Sequence, residues 1–142
     1  MDPKNVIWEN AISPVLIDWE GAGLINPTEE VINVALGWAG ETEVLFRKNI
    51  FLSVINGYCN NGGCLNTHEI PDALNAVMGG YLGWLEFNMC RSLGSSEYDF
   101  EAQQLGLVET EMTFKKLHFL TSKIDYLIEL LLRHTGNLQK DF

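Results

Sequence analysis

Residues 6–19 have the sequence VIWENAISPVLIDW, in which two short apolar runs flank a polar stretch. The runs at 6–8 and 14–19 are rich in β-branched and aromatic side chains, and the polar residues between them are typical of a turn. Pro14 begins the second run, a position where a strand tolerates the missing N–H group. The stretch therefore predicts a small antiparallel β-hairpin, which the glycine-containing segment 21–23 ends in a loop.

From residue 26 onward the apolar residues recur with a helical period. Asn26, Pro27 and Glu29 are typical of a helix start, because they supply a capping side chain, a preset φ and an early acidic residue. The sequence predicts four helices, at about 26–40, 41–58, 66–93 and from about 96 to 134. It therefore predicts a single, mainly α domain, in which residues 1–25 form the hairpin and its loop and residues 26–142 form a helical subdomain.

The last predicted helix carries apolar residues three, four and seven positions apart, which need a partner surface to bury them. The members of this stripe are Phe114, Leu117, Leu120, Ile124, Leu127 and Leu131. Ser96 and Asp99 ahead of the helix resemble a capping box, and Gly106 is a position where the helix could bend.

The composition limits the class of protein. Hydrophobic residues make up 46% and charged residues 20% of the chain, which predicts a folded domain. The net charge of -10 disfavours nucleic acid or an anionic membrane as a partner and is compatible with a cationic small molecule. No apolar run approaches the roughly 18 residues of a membrane span, and Cys59, Cys64 and Cys90 lack metal-ligand spacing. We therefore expect a cytoplasmic protein with free thiols.

Asn5 and Asp18 flank the predicted hairpin and lie 13 residues apart. A hairpin can hold their side-chain oxygens on one edge, where they would converge on one site. The alternative is that Asn5 is a turn residue and that Asp18 only ends a strand.

Residues 1–8, MDPKNVIW, resemble the end of the catalytic loop in aminoglycoside phosphotransferases and their choline-kinase-like relatives. Residues 15–20, VLIDWE, resemble the strand of that family that ends in its metal-binding Asp. The gap between Asn5 and Asp18 is also similar to the family's, and residues 51–58 and 83–94 resemble its helices less specifically. The resemblance implies the C-terminal helical lobe of a protein-kinase-like fold, with one small hairpin followed by about four helices.

The resemblance implies an ATP-dependent kinase that transfers a γ-phosphoryl group to a hydroxyl of a small acceptor, such as an aminoglycoside or a choline-like cation. It makes Asn5 and Asp18 the Mg²⁺ ligands, with Mg²⁺ and ATP as cofactors of the complete enzyme. The family's catalytic Asp would precede Met1, and the N-terminal ATP-binding lobe is not in this sequence. We therefore expect no turnover and no tight cofactor binding by this chain alone. The alternative is a non-catalytic helical interaction module that retains the scaffold of the lobe.

Weaker candidates for acceptor binding are acidic and aromatic residues. Glu20, Glu30 and Glu86, together with Glu29, could bind amino groups of a cationic acceptor, although solvated helix faces are the commoner role of such residues. Glu30 also stands near the position where relatives carry an Asp that supports the catalytic loop. Trp38 could form an aromatic box with Trp19 and Trp84, although aromatic residues at helical spacing more often pack in a core.

The hairpin is also the predicted site of self-association. Without a covering lobe, the apolar residues Val6, Ile7, Trp8 and Leu16 and the strand edges would be uncovered. We therefore expect a symmetric homodimer through this face of the hairpin.

Overall fold

The computed structural model describes residues 3–18, 23–94 and 98–138, with side chains through residue 135. Its strands are β1 (Val6–Asn10) and β2 (Ser13–Leu16), and its helices are α1 (Pro27–Ala39), α2 (Lys48–Asn60), α3 (Ile70–Ser92) and α4 (Phe100–Leu138). Short 3-10 turns precede β1 at Pro3–Asn5 and α3 at Thr67–Glu69. The predicted mainly α plan of one N-terminal hairpin followed by four helices is confirmed.

The two strands form an antiparallel pair in which Ile7 lies opposite Val15 and Trp8 opposite Pro14. The turn between them is held by Asn10, whose Oδ1 accepts a hydrogen bond from the N–H of Ile12 at 3.0 Å. At the foot of the hairpin, the 3-10 turn packs on α1. A Cβ atom added at Gly37 would lie 3.7 Å from Cδ of Pro3, an ordinary van der Waals contact.

The first helix begins and ends as its sequence predicts. The Oδ1 atom of Asn26 accepts from the N–H groups of Thr28 at 2.8 Å and Glu29 at 3.4 Å, which satisfies two of the free donors of the first turn. At the other end, Gly40 has a φ of 94°, a left-handed value that glycine adopts without steric cost.

The predicted start of the second helix at residue 41 is wrong, because α2 begins at Lys48. After Gly40 the chain forms turns, in which the N–H groups of Leu45 and Phe46 both donate to the carbonyl of Thr42. The N–H of Arg47 then donates to the carbonyl of Ala39 at 2.8 Å. The segment therefore folds back on the end of α1, and Val44, which the helical pattern included, is 93% exposed.

All four helices contribute to one hydrophobic core. Its fully buried members include Ile32, Leu36, Phe51, Ile55, Ile70, Leu74, Leu120, Leu127 and Leu131. The predicted stripe of the last helix is therefore confirmed at Leu120, Leu127 and Leu131. It is wrong at Phe114, whose side chain is 54% exposed.

The helices α3 and α4 come into close backbone contact at Gly106, where α4 remains continuously helical. A Cβ atom at this position would lie 2.8 Å from N of Ser92 and 2.9 Å from O of Asn88, both backbone atoms of α3. These distances are shorter than real contacts allow, so glycine is required by the packing of the two helices rather than by a bend.

We predict that Gly106→Ala destabilises the fold by about 1–3 kcal/mol, because the extra methyl group must push α3 away. Gly83→Ala is the matched control: Gly83 lies within α3, and nothing lies within 4 Å of its added Cβ. That change should stabilise the protein by about 0.5–1 kcal/mol through helix propensity. Urea unfolding measures both, and a Gly106→Ala protein as stable as the wild type would contradict the close approach.

A polar cluster joins the turns after α1 to both long helices. The Tyr81 hydroxyl of α3 donates to Oε1 of Glu41 at 2.6 Å, and Lys116 of α4 forms an ion pair with the same carboxylate. The Lys116 ammonium also lies 5.8 Å from the centroid of the Tyr81 ring. Burial, the charge of Glu41 and the hydrogen bond to Glu41 raise the pKa of Tyr81 well above its ordinary value of 10.0.

We predict that stability falls as the pH rises above about 10, since Tyr81 then ionises in the unfolded chain but stays protonated in the folded one. The unfolded state binds fewer protons in that range, so alkali favours unfolding. Tyr81→Phe should reduce this slope, whereas Tyr126→Phe, at an exposed position of α4, should leave it unchanged. Thermal unfolding at a series of pH values measures the slope, and equal slopes for both variants would contradict the prediction.

Candidate functional site

Asn5 and Asp18 meet across the base of the hairpin. The Nδ2 atom of Asn5 donates to Oδ2 of Asp18 at 3.1 Å. The backbone joins the same two segments, because the N–H of Ile17 donates to the carbonyl of Asn5 at 2.9 Å. The predicted convergence of the two side chains is therefore present, although β2 ends at Leu16 and Asp18 lies just beyond it.

Asp18 has an unusual backbone conformation for a residue that is not glycine. Its φ is 63°, in the left-handed region that costs an ordinary residue roughly 1–2 kcal/mol and that Asp and Asn visit more readily. Strained backbone of this kind is concentrated at functional sites. Here it occurs at the residue whose carboxylate meets Asn5.

The chemistry of the pair fits a hard divalent cation. The hydrogen bond uses one oxygen of Asp18 and the amide nitrogen of Asn5, which leaves the other carboxylate oxygen and the amide oxygen as acceptors. Asp18 is exposed and Asn5 is half-buried, so both can be reached from solvent. Within the described ranges, no three His, Cys, Asp or Glu side chains gather as a metal site. Asn5 and Asp18 alone would supply two ligands, as in Mg²⁺ sites where nucleotide phosphates and water supply the remaining ones.

Among the weaker candidates, Glu30 and Trp38 are half-buried on α1. Glu30 lies seven residues before Gly37, on the side of α1 that Pro3 contacts, whereas Trp38 lies about 100° round the helix from that side. Glu86 is exposed on α3. Glu20 lies outside the described residues.

The predicted aromatic box is not formed by the part of the chain that the structure describes. Trp84 stacks on Phe87, with ring centroids 5.4 Å apart and an interplanar angle of 24°. Its indole N–H donates to Oε2 of Glu109 at 3.2 Å, which ties α3 to α4. Trp38 lies on α1 without a ring contact to Trp84 among the described residues, and Trp19 lies outside them.

The sequence analysis missed a groove of about 730 Å³ between the turns after α1 and the outer face of α4. Val44, Leu45, Met112 and Phe114 supply its apolar lining, and Thr42, Glu43, Glu111, Lys115 and His118 supply its polar lining. Assignment of residues 41–47 to a helix concealed it. The signal that could have revealed it is the glycine at 40 followed by a short apolar run, which is typical of a loop that returns over a neighbouring helix.

The hairpin carries exposed apolar side chains on both faces. Ile7 and Val15 lie opposite each other and are both exposed, as are Trp8 and its partner Pro14. This is the surface to which the sequence analysis assigned a homodimer, and that interface stays a prediction.

The three cysteines are free, as predicted. Cys64 and Cys90 are exposed, while Cys59 is half-buried against the core. Burial raises the pKa of the Cys59 thiol, and the charge of the neighbouring Cys64 raises it further. The raised pKa makes this thiol a poorer nucleophile at neutral pH.

No helix in the described ranges is long and apolar enough to cross a membrane. Comparisons with protein-family models, with curated proteins and with solved structures gave no match.

We predict that the left-handed conformation makes Asp18 sensitive to side-chain shape. Asp18→Asn keeps a residue that tolerates this φ, so the hairpin should close normally. Asp18→Val adds a β-branched side chain at a cost of roughly 1–2 kcal/mol, or about a 5- to 30-fold increase in hairpin opening. Amide exchange of the Ile17 N–H, which is bonded to Asn5, measures the opening. Equal exchange rates in the two variants would contradict the strain at Asp18.

Proposed function

We propose that this chain is the helical lobe of a small-molecule kinase similar to aminoglycoside phosphotransferases, in which Asn5 and Asp18 bind the Mg²⁺ of Mg·ATP. The observation that supports it best is the 3.1 Å contact between these two side chains, which are 13 residues apart in sequence. Strand pairing alone brings these two segments together, and the hydrogen bond adds that their side chains, the ones the resemblance implies as metal ligands, also meet.

The two side chains have different roles in this proposal. The carboxylate of Asp18, just after β2, supplies a negative charge. The amide oxygen of Asn5, just before β1 at the same base of the hairpin, supplies a neutral ligand. Their hydrogen bond fixes the orientation of the Asn5 amide, since its nitrogen donates to Asp18 and its oxygen is left for a cation. When bound, Mg²⁺ would neutralise charge on the nucleotide phosphates, the main electrostatic requirement of phosphoryl transfer.

The acceptor class follows from charge. The chain has 19 acidic and 9 basic residues, which favours a cationic acceptor over an anionic one. Glu30 is the weak candidate that lies on the side of α1 facing the foot of the hairpin, where Pro3 meets Gly37. Its carboxylate fits the amino groups of an aminoglycoside or an amino alcohol.

We predict that Mn²⁺, as a paramagnetic substitute for Mg²⁺, broadens the amide signals of Asn5 and Asp18 first. ATP should tighten this binding several-fold, because its phosphates complete the coordination shell. Asp18→Asn should abolish the effect, since it removes the charge but keeps the backbone conformation. Asp72→Asn, at an exposed position of α3, is the matched control and should change nothing.

Two results would contradict the proposal. One is broadening at the hairpin that survives Asp18→Asn, which would separate the metal from the proposed ligand. The other is Mn²⁺ binding that ATP does not strengthen, which would leave a cation site without a link to phosphoryl transfer. Hairpin exchange rates measured on the same variants show whether the loss of binding follows from unfolding of the hairpin.

A second candidate function is the non-catalytic interaction module. It is favoured by the exposed apolar side chains of α3 and α4, among them Trp84, Phe87, Phe100 and Leu107, and by the exposed Leu93 just after α3. Single exposed apolar residues are ordinary, whereas contiguous ones mark interaction surfaces. Association without any Mn²⁺ or ATP response would favour this candidate over the kinase lobe.

A further inference from the structure

The first half of α4 carries an exposed apolar stripe that the core does not use. Phe100, Leu107 and Phe114 are 74%, 51% and 54% exposed and follow one another at intervals of seven residues. Residues at this interval lie on one side of a helix, two turns apart. The same segment packs on α3 through Gly106, which lies about 100° round the helix from Leu107. The stripe therefore lies on a flank of α4, beside the contact with α3.

The groove extends the stripe at its C-terminal end. Phe114 is a member of both, and Val44 and Leu45 form the facing wall. These two residues are 93% and 52% exposed, and they leave the space beside Phe114 open. A large apolar side chain from outside could thus enter between the loop and α4.

The sequence of the stripe is complementary to itself in the antiparallel direction. If two α4 helices pair about a two-fold axis at Leu107, position 100 of each copy faces position 114 of the other. Phe100 then meets Phe114 and the groove. Asp99, whose Oδ1 caps the first turn of α4, lies opposite Lys115, an opposite charge that is paired with Glu111 of its own helix. Glu111 meets the neutral Gln103, so these positions bring no like charges together. Complementary charges at the ends of a stripe select a partner and its orientation.

We propose that the groove and the exposed stripe of α4 bind a second copy of this chain, as an antiparallel, two-fold pair of α4 helices with Phe100 of each copy in the groove of the other. This interface is independent of the proposed metal site and differs from the predicted hairpin interface. A two-fold interface uses the same patch on both copies, and this patch has the required self-complementarity.

The size of the patch agrees with a dimer. Phe100 and Phe114 are 74% and 54% exposed, so covering them would remove roughly 250 Å² per copy, since a fully covered aromatic side chain buries roughly 150–250 Å². Leu107, Val44 and Leu45 add to this area, so the patch supplies a substantial part of the roughly 800 Å² per partner of a standard interface.

The first test compares two leucines of the same helix. Leu107→Glu puts two carboxylates at the two-fold axis and should convert a dimer into a monomer in sedimentation equilibrium at micromolar concentration. Leu105→Glu is the matched control, because Leu105 is 45% exposed but lies on another side of α4. It should leave the dimer intact. Circular dichroism verifies that both variants keep their helices.

The second test fixes the orientation by cross-linking. In a background with the exposed Cys64 and Cys90 changed to serine, Phe100→Cys and Phe114→Cys proteins are oxidised separately and as a mixture. The antiparallel pair predicts a disulfide chiefly in the mixture, because each position faces the other one. Disulfides within each single variant, with none between the two, would indicate a parallel pair and overturn the proposal.

Two further outcomes decide against it. A wild-type chain that sediments as a monomer at about 100 µM would exclude the dimer, since a chain with a micromolar dissociation constant is mostly dimeric at that concentration. A dimer that Leu107→Glu leaves intact but Ile7→Glu dissociates would assign the interface to the hairpin instead. Both measurements are independent of metal and nucleotide. The dimer can therefore be disproved while the proposed kinase site stands, and the kinase site can be disproved while the dimer stands.

Discussion

The antiparallel packing of α3 against α4 is the constraint on which the rest of the structure depends. It is the most extensive contact between elements, and α3 also packs on α1, which in turn holds α2. The packing requires Gly106, because any side chain there would meet the backbone of α3 at Asn88 and Ser92. The Glu41, Tyr81 and Lys116 cluster then fixes the turns after α1 against both long helices. One glycine and one polar cluster thus set the relative positions of the core helices.

The sequence predicted elements whose local signals agree with their packing. Asn26, Pro27 and Gly40 define α1 to within a residue, because capping and left-handed backbone are chemical properties of those side chains. The start of α2 was predicted wrongly because Val44 and Leu45 fit a helical period, and a period does not reveal whether a residue faces a core or solvent. Phe114 was placed in the core for the same reason. Val44, Leu45 and Phe114 all line the groove, so assigning them to a helix and to the core concealed it.

The candidate site likewise has some features that the sequence could predict and others that it could not. Asn5 and Asp18 could be paired from sequence, because a hairpin brings its two ends together whatever else surrounds it. The left-handed backbone at Asp18 could not be predicted, since Asp also adopts extended conformations freely. Glu30 could be placed on the same side of α1 as Gly37 by period, but the contact of that side with the hairpin foot depends on Pro3 packing on Gly37. Glu86 and Trp84 belong to α3, whose relation to the hairpin no sequence period encodes.

The hairpin and its site must also be linked energetically. An isolated two-stranded hairpin is at best marginally stable, and this one has exposed apolar side chains on both faces. Its closure depends on the hydrogen bonds between Asn5 and the segment 17–18, opposed by the strain at Asp18. A cation that binds only when Asn5 and Asp18 are together stabilises the closed form by mass action. Metal binding at this site would therefore order the hairpin, and any partner that orders the hairpin would tighten the metal site by the same factor.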